Sequence, residues 1–214
     1  MTKLLNLLKN KYVIFSIQFL VATAITVAGF YYTPKLKHKY WLHQHITLIE
    51  DFIGLLTRYP ERHLRYAGIN NYIIRKDYKD QFDNRLIFHL DNNIEYVSGG
   101  YFLISPGSAD YQSNKDDALV LSYVNLDMDR CLELATYDWT KLKTAKVIGI
   151  MASNRSAHLN YENIHNGCNG VAIPENYTIA CTNGRDVSIP MSEEKALTAC
   201  RCYSNYCSIT FKLY

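Results

Sequence analysis

The chain has 214 residues, 48% of them hydrophobic and 20% charged, with 23 basic and 20 acidic side chains giving a formal net charge of +3. Six lysines at positions 3, 9, 11, 35, 37 and 39 exceed that surplus, so the remainder is near neutral or slightly acidic and offers no basic face for nucleic acid. The cysteines are six, all beyond residue 130 and crowded among Asn, Gly and Tyr, which fits bridged loops in an oxidising compartment better than reactive thiols in a reducing one.

In chain order, the first element is an uncharged run from Val13 to Tyr32, VIFSIQFLVATAITVAGFYY. Twenty helical residues at ~1.5 Å each reach ~30 Å, the thickness of a bilayer core. Val13, Phe15, Phe19, Leu20 and Ile25 are the residues expected to face lipid or neighbouring helices, with Pro34 marking the end of the span. Lysines flank the run on both sides and give no orientation, but the cysteines do: the N-terminus belongs in the cytoplasm and the rest outside. Two other readings of the run are a cleaved signal peptide, with Ala22-Thr23-Ala24 as its small-x-small site, and a buried core helix.

The helical period continues through Trp41, His45, Leu48, Phe52, Leu55 and Tyr59 until Pro60, so one rod of about 45 residues is expected, bent at Pro34. The domains follow: a basic cytoplasmic segment 1–11, a transmembrane helix 12–34, its amphipathic continuation 35–60, and an exported globular α+β domain 61–214.

Residues 61–84 read as a surface loop with a short helix near Asn71 to Lys76. Short strands are expected at Arg85 to Leu90 and Ile94 to Val97 around Asp91-Asn92-Asn93, at Tyr101 to Ser105 after Gly99-Gly100, and at Ala118 to Tyr123 after a polar tip at Ser113 to Asp117. A second helix spans Asn125 to Trp139, with Asn125 as N-cap, Asp127 and Asp129 in its first turn, and a stripe of Met128, Cys131, Leu132, Leu134 and Ala135. A strand at Ala145 to Ala152, strand candidates near Val171 and Tyr177, a short helix at Ser192 to Ala199, and a final strand at Tyr206 to Leu213 with one buried face complete the chain.

Chemical motifs are scarce. There is no CxxC pair, paired-histidine motif, phosphate-cradling glycine loop, nucleophile elbow or paired-carboxylate motif, so neither metal, cofactor nor catalytic residue is expected. His38, His43 and His45 read as interfacial or surface groups, and the Asp127 and Asp129 pair reads as helix-capping acids instead of a calcium site. Eighteen tyrosines, many in polar segments, suit half-buried β-structure and contact surfaces.

Gly99-Gly100-Tyr101-Phe102-Leu103-Ile104, the helix LDMDRCLELATYDW at Leu126 to Trp139, the strand Val147 to Ile150, and ACRCYSNYCSITF at Ala199 to Phe211 together resemble the type IV pilin-like proteins. The likeness is to the type IVb branch with its minor-pilin and pseudopilin relatives. It implies a long membrane-spanning helix packed on an antiparallel sheet, a disulfide-closed C-terminal region, and work done by packing and not by chemistry. It also implies that Cys131 pairs with Cys200 or Cys202. Six cysteines admit fifteen connectivities; the set favoured here is Cys131 with Cys200, Cys168 with Cys181, and Cys202 with Cys207, the last two closing local loops.

The N-terminus departs from the family pattern. Lys9-Asn10-Lys11 supplies a basic leader, yet no Gly or Ala precedes Tyr12, and no acid occurs before Glu50. The family's early glutamate is thought to pair with a neighbouring subunit's amino terminus, and only the uncharged Ser16 and Gln18 lie near that place here. The expectation is therefore a minor pilin or pseudopilin at the inner membrane, its domain in the periplasm or at the cell surface. Its partners would be the membrane, other pilin-like subunits through the N-terminal helix, and a surface ligand. A permanently anchored binding or adhesion domain that does not assemble is the alternative, and an exported enzyme with a site built from distant residues comes third.

Overall fold

The computed structural model describes residues 11–56, 66–82, 84–97, 99–108, 116–142, 146–155, 164, 177–181, 189–203 and 206–214. The residue 1–10 leader, Pro60, the polar tip at 113–115, the strand candidate near Val171 and Cys168 lie outside these residues, as do the side chains of Pro34, His38 and Cys181. The chain forms two units, Met1–Thr47 and Leu48–Tyr214.

Helix α1 spans Lys11–Leu56, 46 residues, and passes through Pro34 without interruption. In the second unit its last turns bury Leu48, Ile49, Phe52, Ile53 and Leu56 completely. That corrects the expected stripe: Leu55 is only half-buried, and the buried line runs i, i+1, i+4, i+5, i+8, because a helix laid on a sheet covers a face wider than one a/d seam. Phe52 meets Phe82 at 4.9 Å and Phe102 at 5.5 Å between ring centroids, and Arg85 Nη2 donates to Asp51 Oδ2 at 2.8 Å.

Helix α2, Asn71–Tyr78, starts because the Asn70 side chain accepts a hydrogen bond from the Ile73 N–H at 3.0 Å. Seven strands follow: β1 Leu86–Phe88, β2 Ile94–Tyr96, β3 Tyr101–Gly107, β4 Ala118–Leu126, β5 Val147–Ser153, β6 Tyr177–Cys181 and β7 Cys207–Leu213. They make one antiparallel sheet in the order β1-β2-β3-β4-β7-β5-β6. Helix α3, Met128–Thr136, lies between β4 and β5 in sequence, and α4, Glu193–Ala199, precedes β7. The fold is thus the α+β arrangement expected, a long N-terminal helix, an antiparallel sheet and a disulfide-linked C-terminal region. The last strand enters the middle of the sheet, between β4 and β5, so the two halves are joined only when the C-terminus is in place.

By register, Phe102, Tyr123, Leu121 and Phe211 share one face. Phe52 of α1 meets Phe102 there, Phe102 stacks on Tyr123 at 4.3 Å, and Trp139 meets Phe211 edge-on at 4.7 Å. The other face is covered as well. Met151 and Ile179, paired across β5 and β6, pack with Ile164. Consequently β7 does not show the single buried face expected of it: all seven residues are buried, Ser208, Thr210 and Lys212 included. The hydroxyls among them are tolerated because they are bonded, Ser122 Oγ to Thr210 Oγ1 at 2.5 Å and Ser208 Oγ to the Arg155 carbonyl at 3.0 Å.

Gly99 and Gly100 enter β3 with φ of +100° and +92°, a region that only glycine adopts without strain. A Cβ on Gly100 would overlap the Tyr123 ring and stand 3.0 Å from the Val124 carbonyl oxygen. Gly100→Ala is therefore expected to cost ~2–4 kcal/mol, conformational strain and overpacking together. A denaturant midpoint equal to that of the unchanged protein would contradict this.

Beyond the end of β2, the edge of β3 is closed by a side chain. Asn71 Nδ2 donates to the Phe102 carbonyl at 2.8 Å and Asn71 Oδ1 accepts from the Ile104 N–H at 2.9 Å, so one amide continues the ladder as a strand would. Asn71→Ala should lower stability by ~1–3 kcal/mol and speed amide exchange at Ile104 selectively. Uniform exchange across β3 would count against this role.

The second helix also starts later than expected. Asn125 belongs to β4, at φ +62°, where the register with β7 shifts between Val124 and Leu126. Asp127 is the N-cap, its Oδ1 accepting from the Arg130 N–H at 2.9 Å. Pairing of Leu126 with Cys207 keeps Asn125 in the strand and passes the capping role to the next acceptor along. The stripe narrows accordingly to Cys131, Leu134 and Ala135, with Leu132 half-buried and Met128 exposed.

Candidate functional site: an apolar helix and a disulfide-linked region

Between Ile14 and Tyr40, α1 presents its described apolar side chains outward, whereas Trp41 and Leu42 are half-buried and Ile46 is buried. Phe15, Phe19, Leu20 and Ile25 are each 65–69% exposed, and Val13 is half-buried. Among the described residues this is one helix long and apolar enough to cross a membrane, and no part of its most apolar window is buried within the chain. A core helix would bury that surface. The threonine hydroxyls in and just after the run are internally satisfied: those of Thr23, Thr26 and Thr33 donate to the carbonyls of Phe19, Ala22 and Gly29 at 2.8, 2.8 and 2.5 Å. Such i to i−4 bonds remove the cost of placing a hydroxyl in hydrocarbon.

The aromatic and cationic residues follow the apolar stretch. Lys35 Nζ donates to Tyr31 Oη at 2.9 Å and lies 4.1 Å from the centre of the same ring. Tyr31 and Tyr32 meet edge-on at 5.3 Å, and Gln44 Nε2 donates to Tyr40 Oη at 2.6 Å. His43 is exposed, but His45 is buried and not the surface group expected, its ring tilted against Trp41 at 3.6 Å with Nδ1 3.1 Å from the Trp41 carbonyl oxygen.

In the second unit, α3 carries Cys131, fully buried, to Cys200 at the C-cap of α4. The two form a disulfide with S–S 2.06 Å and Cα–Cα 5.6 Å across a sequence separation of 69. A second disulfide, Cys202 to Cys207, closes the approach to β7 over a separation of 5, reinforced by a bridge between Tyr203 and Tyr206. Trp139 locks the same region, its Nε1–H donating to the Leu134 carbonyl at 2.7 Å. The Met191 N–H donates to the Ala135 carbonyl at 3.1 Å, tying the approach to α4 to the end of α3.

Tyr123 and Asp138 are displaced by their surroundings. Burial raises Tyr123 above the ordinary tyrosine range, and its hydroxyl donates to the Gly99 carbonyl at 2.7 Å. Asp138 is held below the usual carboxylate range, first by its hydrogen bond from Thr140 and then by Lys141. Neither is arranged as an acid or base beside a nucleophile. Among the described residues no cluster of three or more His, Cys, Asp or Glu could hold a metal ion.

Three placements had no sequence signal, because their partners lie far along the chain. Asn71 caps β3, and Arg75 Nη1 donates to the carbonyls of His89 and Leu90 at 3.0 and 2.8 Å, holding the β1–β2 turn. The Arg155 guanidinium lies 5.3 Å from the exposed Tyr203 ring at the end of the disulfide-closed hairpin.

No family model and no curated protein matches the sequence. Among solved structures, the chain is similar to the type IV b pilin from Salmonella typhi, with 12% sequence identity, a TM-score of 0.36, and coverage of 68% of this chain and 78% of that one.

Proposed function

We propose that this chain is a structural, pilin-like subunit held in the inner membrane by α1, with its sheet domain in the periplasm, and that it serves as a minor pilin or pseudopilin of a type IV pilus or related secretion filament. The observation that carries this reading is a single helix that leaves its span-length apolar portion exposed and then enters the core of a sheet domain closed by Cys131 and Cys200. Such a helix has two uses, lipid before assembly and neighbouring helices after it. The Ser16 and Gln18 positions, lacking a carboxylate, favour a subunit added at a tip or initiation point over one repeated along a filament.

The test is photo-cross-linking in native membranes from Phe15 and Ile25. Adducts to other chains that begin with a comparable apolar helix support assembly. Adducts to lipid alone would overturn it and leave the second reading, a permanently anchored recognition domain. The exposed Tyr203 under Arg155, on a stapled hairpin, favours that second reading.

A further inference from the structure

We infer that α1 between Tyr31 and His43 is a collar that binds anionic phospholipid headgroups at the domain-proximal end of the span. The inference rests on the anchored reading above and adds a partner to it.

Charge comes first. Lys35, Lys37 and Lys39 are all exposed, and the first acid anywhere in the chain is Glu50. No intramolecular carboxylate precedes that position in the sequence to neutralise them locally. A negative surface potential attracts such lysines over about a Debye length, whereas a zwitterionic surface does not.

Geometry comes second. Tyr31, Tyr32 and Tyr40 are exposed around the same turns, each a ring that rests in the acyl boundary with its hydroxyl in the headgroup layer. Lys35 is held against Tyr31 by both its hydrogen bond and its position over the ring, so its ammonium is kept at the depth of that hydroxyl. Lys37 stands at the end of a groove along the helix lined by Thr26, Gly29, Phe30 and Thr33. From Thr26 to Lys37 is eleven residues of rise, ~16 Å, about half the hydrocarbon thickness and hence one acyl chain. A lipid whose chain follows this groove places its phosphate beside Lys37, and Lys35 and Lys39 supply the surrounding positive charge.

The experiment uses the full chain in nanodiscs of phosphatidylcholine containing a minority of phosphatidylglycerol, with retained lipid counted by native mass spectrometry. The unchanged chain should carry phosphatidylglycerol in excess of its share. Lys35→Gln, Lys37→Gln and Lys39→Gln together should reduce that excess by roughly tenfold or more. Lys3→Gln, Lys9→Gln and Lys11→Gln together should leave most of it. No excess in the unchanged chain, no loss in the first variant, or an equal loss in both would overturn the collar while leaving the anchor intact. Failure to enter discs of pure phosphatidylcholine would overturn the anchored reading itself, and the collar with it.

Discussion

Replacing Cys131 and Cys200 by serine is expected to lower the stability of the sheet domain by ~4 kcal/mol, the loss of chain-entropy restriction for a loop of this length. With a separation of 69, the bridge restricts a large part of the unfolded chain. It also fixes α3 to the C-cap of α4, immediately before the strand that joins the two halves of the sheet. The Cys202 and Cys207 pair, with a separation of 5, should matter less, about 2 kcal/mol on the same scale. The denaturant midpoints of the two double variants decide the matter. The first should fall further than the second and expose the β7 region to protease; equal midpoints, or the reverse order, would contradict the account.

The second large effect is expected in the membrane. Val21 and Ile25 are exposed and lie at the middle of the apolar run, so arginine at both places a charge pair at the bilayer centre. Each substitution costs ~2.5–3.5 kcal/mol on an insertion scale, and the two together would remove most of the advantage of spanning. Val21→Arg with Ile25→Arg should move the protein from the carbonate-resistant membrane fraction to the soluble one. The sheet domain should keep its thermal midpoint, because Val21 and Ile25 are exposed and belong to the first unit. Retention of the variant in washed membranes would show that something other than α1 holds the protein there.

The parts of the fold legible in the sequence were those set by local pattern. An uncharged run of span length, a short helix near Asn71, Gly-Gly before Tyr101, and apolar or alternating runs at Ala118 and Tyr206 each announce themselves within about ten residues. The order of strands was not legible, since nothing near Cys207 states that the last strand lies between β4 and β5. Nor was the full burial of β7, whose polar residues alternate as if facing water; Ser122 and Thr210 are bonded to each other across 88 residues of sequence. Asn125 shows how two adequate signals compete: it and Asp127 can both cap a helix, and strand pairing to Cys207 decides between them. Spacing alone left the partner of Cys131 open among several cysteines, and the disulfide to Cys200 follows from bringing α3 and α4 together. At the candidate site, the apolar residues of α1 were readable from composition, whereas the Lys35 and Tyr31 contact and the Arg155 and Tyr203 pair depend on rotamers and long-range folding.

The most direct test of the central claim, an anchored chain with an exported and oxidised domain, is the intact mass of the protein from its native membrane fraction after alkylation without reduction. The account predicts a chain that still contains Val13 to Tyr32 and takes up no alkyl group at Cys131, Cys200, Cys202 or Cys207. A chain beginning at Ile25, or one alkylated at those four cysteines, would contradict it: the first would make the domain soluble after cleavage, and the second would place it in a reducing compartment.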